Sequence, residues 1–181
     1  TNGDFTISFW WAFPTNTDVA VISQSPWGGP VPKWMFAVQN RWQNIGYYSW
    51  GDDSIERQLA KYAFTPHTDL QYYTLVKNGD DFFLYHNAVQ VAHSTEGPIP
   101  LADLGMDFEI GRAESNFYYN NILDEVAIRW RALSSSEIAG LYNWGSGLSL
   151  LPAPITYTLT YAAGSNGSLS WTLIQTINEG E

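Results

Sequence analysis

Apolar and polar residues alternate with a period of two from the start of this chain, a pattern that fits pleated strands and does not fit a helical bundle. Between Phe5 and Trp11 the odd positions Phe5, Ile7, Phe9 and Trp11 are apolar and the even positions Thr6 and Ser8 are polar. This is the spacing of a half-buried strand, and Pro14 ends it. The same texture returns in Val19 to Ser23, Trp34 to Gln39 and Ile45 to Trp50. Turn-forming stretches separate these runs: Pro26-Trp27-Gly28-Gly29-Pro30, Asn40 to Asn44, and Gly51-Asp52-Asp53. The chain begins inside a strand pattern, as expected of a piece of a larger protein.

Three further β-rich runs, Tyr72 to Lys77, Asp80 to Tyr85 and Ala88 to His93, are linked by Asn78-Gly79 and His86-Asn87, and predict a meander. If both links are two-residue turns, Lys77 faces Asp80, Leu75 faces Phe82, Tyr85 faces Ala88 and Leu84 faces Val89. One face then carries Tyr73, Leu75, Phe82, Leu84, Val89 and Val91 and belongs to the core. The other carries Thr74, Val76, Asp81, Phe83, Tyr85, Gln90 and Ala92, too aromatic for open solvent and too polar for a sealed interior. It is expected to line a groove or to be partly covered.

Phe108 to Arg112 and Ile122 to Trp130 complete about nine strands, and a single helix is predicted after Leu133. Ser134-Ser135-Ser136-Glu137 has the form of a capping box, and Ile138, Leu141 and Tyr142 share one helical face that ends near Asn143 to Gly145. Many short strands and one capped helix define an all-β chain: a two-sheet antiparallel sandwich, jelly-roll rather than immunoglobulin-like, with one short C-terminal helix. The sandwich is expected to occupy residues 1–149. Leu151-Pro152-Ala153-Pro154 then reads as the core of a stiff linker over 150–154. Residues 155–181 hold two more alternating runs, Ile155 to Tyr161 and Leu169 to Ile177, around Gly164-Ser165-Asn166-Gly167-Ser168, so a C-terminal β-hairpin is expected.

Composition removes several functions. The chain of 181 residues has no cysteine, which excludes disulfide frameworks, thiolate metal sites and thiol nucleophiles. Eight basic residues against 18 acidic ones give a net charge of −10, the wrong sign for a phosphate backbone, so nucleic acid is not the expected partner. No run reaches the roughly 18 apolar residues of a membrane span. Charged residues make up 14% of the chain, well below the usual level of about a quarter, while Trp, Tyr and Phe supply 16%, so its chemistry rests on rings and amides.

Catalytic patterns are missing. Glycosidases built on β-sandwiches need paired carboxylates alternating on one strand, and no Glu-x-Asp-x-x-Glu run is present. Asp124 and Glu125 are adjacent, which in a regular strand sends them to opposite faces. There is no Gly-x-Ser-x-Gly elbow and no phosphate-cradling glycine loop. The expected register separates His86 from His93 along the meander, so the three histidines, with His67, are read as turn and strand residues rather than metal ligands. No enzymatic activity is expected.

Five segments together resemble a known family: Phe5-Thr6-Ile7-Ser8-Phe9-Trp10, Leu84 to Val91, Phe108-Glu109-Ile110-Gly111-Arg112, Leu123-Asp124-Glu125-Val126-Ala127-Ile128, and Arg131-Ala132-Leu133-Ser134 to Glu137-Ile138. In order and spacing they resemble the laminin G-like, concanavalin A-like jelly-roll domains of bacterial extracellular proteins. His86-Asn87 stands where the family usually has Asp-Gly, and Arg129-Trp130 where it has an aromatic followed by Asn. Tyr157 to Tyr161 with Gly164 to Leu169 and Gln175 to Gly180 resembles the opening of an internalin-type B repeat. The first resemblance implies a structural calcium ion held by Asn2, Asp4, Asp124 and Glu125, segments that such jelly rolls bring together.

The rings in or beside turns are the remaining candidates: Trp27, Trp42, Tyr47, Tyr48, Trp50, Tyr118 and Tyr119. Flat rings stack on the apolar faces of sugars while Asn, Asp and Gln bond the hydroxyls. The expected function is therefore a non-catalytic glycan-binding or adhesion module of an extracellular or cell-surface bacterial protein, with a glycan or cell-surface polysaccharide as partner. The alternative is a structural domain of a surface filament or phage virion, in which aromatic faces and the tail hairpin meet neighbouring subunits.

Overall fold

The computed structural model describes residues 3–15, 17–25, 32–39, 43–50, 56–95, 105, 107–114, 117–147, 156–160, 165 and 174–178. The chain divides into two compact units, Thr1–Leu148 and Ser149–Glu181. The first is a sandwich of two five-stranded antiparallel sheets, as the alternation predicts.

One sheet is ordered β12 (Leu123–Arg129), β1 (Phe5–Phe13), β6 (His67–Asn78), β7 (Asp81–His86), β8 (Val89–Thr95). The other is ordered β5 (Glu56–Ala63), β4 (Asn44–Trp50), β3 (Lys33–Gln39), β2 (Val19–Gln24), β9 (Glu109–Ile110). We call them the front and back sheets. Neighbours distant in sequence, such as β1 beside β6 and β12, give the crossovers of a jelly roll. A ribbon of β10 (Arg112–Ala113) and β11 (Phe117–Tyr118) follows β9. In the second unit, β13 (Thr156–Thr160) pairs antiparallel with β14 (Ile174–Asn178), the expected hairpin.

The core lies between the sheets. Phe5, Ile7, Phe9, Trp11 and Phe13 of β1 point inward beside Tyr73 and Leu75 of β6 and Phe82 and Leu84 of β7. From the back sheet come Trp34, Phe36 and Val38 of β3 and Ile45 and Tyr47 of β4. Rings interlock across the interface: Phe9 meets Phe36 edge-on at 5.1 Å, and Tyr47 stacks on Phe82 at 5.8 Å.

The opposite side of the front sheet is partly covered, as its composition implied. Trp10, Tyr72, Val76 and Tyr85 form a second cluster with Leu133 and Ile138, closed by helix α1 (Ser135–Tyr142). The capping box is present: Glu137 N donates to Ser134 Oγ at 3.3 Å, and Ser134 N to Glu137 Oε2 at 2.8 Å. Asn143 ends the helix in the left-handed region.

Three expectations are corrected. The first hairpin turns at Gly79-Asp80, so Lys77 pairs with Phe82 and Leu75 with Leu84, rather than with Asp80 and Phe82. The second turns at Asn87-Ala88, both at positive φ (49° and 63°), so Tyr85 pairs with Gln90 and not with Ala88. A bulge next to Leu84 then pairs that residue with Ala92 instead of Val89. Ala92 and Val91 consequently pack on the main core, while Val89, expected inside, is 64% exposed. Finally, β5 has no counterpart in the sequence reading. Ala60 sits in it at φ 46°, a bulge that buries the adjacent Leu59 and Ala60 and breaks the period of two.

Candidate functional site

The outward face of the back sheet carries a ring-lined depression. Alternation in β3 puts Trp34, Phe36 and Val38 in the core and leaves Lys33, Met35, Ala37 and Gln39 facing away from it. In β4 the outward positions are Gly46, Tyr48 and Trp50. Register aligns them: Lys33 with Trp50 and then Glu56 across three strands, and Met35 with Tyr48 and then Gln58. Ala20, Ala37 and Gly46 leave the floor low beside these larger side chains. A β-carbon added at Gly46 would lie 3.1 Å from Lys61 Cα, a tight contact that favours glycine beside the bulged edge strand.

Over this face lies the β10–β11 ribbon. Gly111 N donates to Val21 O at 2.7 Å and Ser23 Oγ to Arg112 O at 2.7 Å, which ties the ribbon to β2. Ala113 packs against Ala20, Met35, Ala37 and Tyr48. The result is an open cavity of about 240 Å³ walled by Trp50, Met35 and Ala37 and edged by Asp18, Gln39 and Glu114.

Its electrostatics are ordered. Lys33 Nζ stands 4.6 Å from the Trp50 ring centroid and forms an ion pair with Glu114. Trp50 in turn stacks against Tyr48. Burial, reinforced by the charges of Glu56 and Asp18, pushes the Tyr48 phenol well above the usual tyrosine range, so it stays a neutral hydrogen-bonding group. Gln58 Nε2 donates to Glu56 Oε1 at 2.8 Å, and Lys61 Nζ to Gln58 Oε1 at 3.3 Å, a polar rim along β5. The arrangement can stack one flat apolar surface on Trp50 and bond hydroxyl groups around it. Glu114 is engaged by Lys33 and is not a free base.

The candidate rings distribute as follows. Trp50 walls the cavity and Tyr48 lies beneath it. Tyr118 stands on the ribbon, 59% exposed, with the Arg112 guanidinium 5.6 Å from its ring. Tyr47 is a correction: it is fully buried between Phe5, Trp34 and Phe82, because position 47 falls on the inward phase of β4. Tyr48 is also fully buried and offers no stacking surface. Tyr119 is a half-buried wedge against Trp11 and Phe13, its hydroxyl donating to Ala12 O at 2.5 Å and also contacting Ile122 O. Burial pushes its phenol up to about 12. Trp27 and Trp42 lie outside the described residues.

The calcium set does not assemble as expected. Asp4 precedes β1 and its Oδ1 accepts from Gly79 N at 2.8 Å, whereas Asp124 pairs with Trp10, six residues further along. At about 3.4 Å per residue that is roughly 20 Å. Asn2 lies outside the described residues. Glu125 is a bulge residue at φ 51°, which breaks the strict alternation expected of it and Asp124. Among the described residues no group of three or more His, Asp or Glu is placed to hold a metal ion.

His67 and His86 lie at one end of the core, on the same tyrosine. Both stack on Tyr73, at 6.1 and 4.6 Å. Register explains it: Trp11 pairs with Gln71 but Phe13 with His67, so residues 68–70 bulge out and His67 folds back. Burial holds both imidazoles below their ordinary pKa, helped for His86 by the neighbouring His67. The unfolded chain therefore takes up protons first as pH falls below about 6.5. Stability is full above that pH and declines as pH falls below it, read as a falling urea midpoint. His86→Gln is expected to flatten the decline, and a midpoint constant from pH 7.5 to 5 would refute it. A separate loss follows below pH 4.5, where Arg131 and the Ser134 cap hold Glu137 down at about 2.

Fold and face together define a lectin-like β-sandwich with an aromatic depression on one sheet. Residues 1–139 match the laminin G type 3 family model, described as the Concanavalin A-like lectin/glucanases superfamily, and the chain belongs to that family. No curated protein matches the sequence. Among solved structures it is similar to domain 4 of the extracellular arabinanase AbnA from Geobacillus stearothermophilus, solved with arabinotriose (15% identity, 76% of this chain and 66% of that one, TM-score 0.62). It is also similar to the botulinum neurotoxin serotype D binding domain (16%, 81% and 40%, 0.60). A third is the binding domain of Paraclostridial Mosquitocidal Protein 1 (19%, 78% and 37%, 0.58). At these identities the likeness is one of fold, and the chain spans only part of each relative's length. No helix among the described residues is long and apolar enough to cross a membrane.

Proposed function

We propose that the chain is a non-catalytic glycan-binding module of an extracellular bacterial protein, and that it binds through the outward face of the back sheet. The observation that carries this reading is Trp50: a half-buried ring, backed by Tyr48 and Lys33, that walls an open cavity edged by Asp18, Gln39 and Glu114. At about 240 Å³ the cavity lies below the roughly 300–1,000 Å³ of pockets that enclose a drug-sized ligand, so it suits one sugar ring of a longer chain lying along the sheet. Structural relatives described as an arabinotriose complex and as a botulinum neurotoxin type C whose cell entry depends on two ganglioside molecules support this class of ligand.

Affinity electrophoresis in arabinan, galactan, xylan and β-glucan tests it. At least one polysaccharide should retard the protein, and Trp50→Ala should weaken that binding at least ~10-fold, about 1.4 kcal/mol, with little change in melting temperature. Equal retardation of the variant, or hydrolysis of any of these glycans, would overturn the reading. A structural role between subunits is the second reading, favoured by Trp130, 72% exposed immediately after β12. Concentration-dependent oligomers abolished by Trp130→Ser, with no glycan retardation, would support it.

A further inference from the structure

The α1 side of the sandwich carries a second depression, far from the back sheet. It has a volume of about 430 Å³ and lies between the Asn87-Ala88 turn and the C-terminal end of α1. Beside it stands Trp144, 96% exposed, the most exposed large apolar side chain among the described residues. A ring left so fully in water contributes no burial to folding. Its backbone is in the left-handed region (φ 55°), which an aromatic residue adopts only against a steric penalty. Two features that work against the isolated fold thus coincide at one side chain.

The mount beneath Trp144 is rigid. Tyr142 stacks on Trp10 at 5.6 Å and on Tyr72 at 6.2 Å. Asn143 Nδ2 donates to Gly147 O at 2.9 Å, and Gly147 N to Tyr142 O at 3.1 Å, closing the turn. Gly147 packs on the Trp10 indole, where an added β-carbon would sit 3.4 Å from Nε1. The ring is held out on a fixed support, a condition for binding at low entropic cost.

The lining states the chemistry. It is uncharged throughout, in a chain of net charge −10: small residues at Ala88, Ala139 and Gly140, an apolar edge at Val89, and the amides of Asn87 and Asn143. Asn87 uses Oδ1 for Tyr72 N and Nδ2 for Gln71 Oε1, which leaves one amide hydrogen; Asn143 keeps its Oδ1. One flat ring, a floor of small side chains and a few amide groups match a neutral sugar, with its apolar face and its ring of hydroxyls. An anionic sugar would find no cation here and a negative field around it.

We infer that Trp144 and the groove between α1 and the β7–β8 turn form a second saccharide site, selective for neutral sugars, on the face opposite Trp50. The inference shares with the proposed function only the premise that the module binds glycans. Titration of the whole chain with arabinotriose, xylotriose, maltotriose and 3′-sialyllactose, followed by the indole N–H resonances of Trp144 and Trp50, tests it, each resonance being assigned from its Trp→Ala variant. A neutral trisaccharide should shift the Trp144 resonance saturably, and the shift should persist in Trp50→Ala. Trp144→Ala should bind that sugar at least 10-fold more weakly at the α1 face, read from neighbouring amides, with an unchanged melting temperature. If Trp50 responds and Trp144 does not, the second site is refuted and the back-sheet reading stands. If Trp144 alone responds, the second site stands and the back-sheet assignment falls. Silence of both overturns both. A Trp144 resonance that moves with protein concentration instead, or prefers 3′-sialyllactose, also overturns the inference.

Discussion

Trp11→Ala is expected to lower the unfolding free energy by about 3–5 kcal/mol, the range for deleting a large buried ring. Trp11 heads the fully buried side chains in volume among the described residues, and its environment explains why the loss is concentrated there. It stacks on Phe13 at 5.0 Å and meets Phe9, Tyr73, Phe64 and Tyr119 at 5.7 to 5.9 Å. Those partners belong to β1, β6, the segment after β5 and the segment after β11, so one indole joins four parts of the chain. They are themselves rings held by other rings, which limits collapse into the space left behind, and a core that cannot relax retains most of the cavity penalty. The measurement is a urea midpoint with unchanged slope. A loss below about 1 kcal/mol would show that the end of the core lined by His67 and Tyr119 repacks freely.

The features that were legible in the sequence were those fixed by local spacing. Phe5, Ile7, Phe9 and Trp11 recur at every second position and all point into the core from β1, which lies between β12 and β6 in the front sheet. The Ser134 to Glu137 box, with Ile138, Leu141 and Tyr142, placed α1 and its buried face nearly to the residue. What failed were positions where a bulge or a positive φ shifts the phase, because alternation is read on the assumption of a regular pleat. Ala60, Asn87, Ala88 and Glu125 are all such positions; only Asn87 is of a type that favours positive φ, and nothing in the residue type marks the other three. Each moves its neighbours to the other face: Val89 out, Ala92 in, Leu59 and Ala60 both in.

The candidate site was legible only in part for the same reason. Trp50 was singled out for lying beside a turn, and it does border the cavity. Tyr47 was chosen on the same criterion and is core, since proximity to a turn says nothing about phase. Applying the period of β4 would have separated Tyr47 from Tyr48 and Trp50. The partners Lys33, Met35 and Gln39 carried a signal too, the odd phase of β3 opposite Trp34, Phe36 and Val38. Asp18 and Glu114 carried none, because a loop and a distant ribbon bring them to the face, and tertiary structure alone specifies that meeting.

Thr6→Val should cost about 2–3 kcal/mol, although the two side chains have nearly the same shape. Thr6 is fully buried under the segment that joins β12 to α1. Its Oγ1 donates to Arg131 O at 2.8 Å and accepts from Leu133 N at 3.0 Å, satisfying two backbone groups that no sheet partner can reach. Valine fills the space but leaves the buried Leu133 amide and the Arg131 carbonyl without a partner, and each such group costs roughly 1–3 kcal/mol. The penalty is local to the covering layer: Leu133 and Ile138 hold α1 against Trp10, Tyr72 and Val76, whereas the Trp50 face is built on the other sheet. Hydrogen exchange should therefore rise across 131–142 before it rises in β3 and β4, and glycan binding through Trp50 should survive. Thr6→Ser, which restores the hydroxyl, should recover most of the stability despite the lost methyl group. Equal exchange in both layers of the Val variant, or no recovery with Ser, would show that the loss at Thr6 is one of packing rather than of hydrogen bonding.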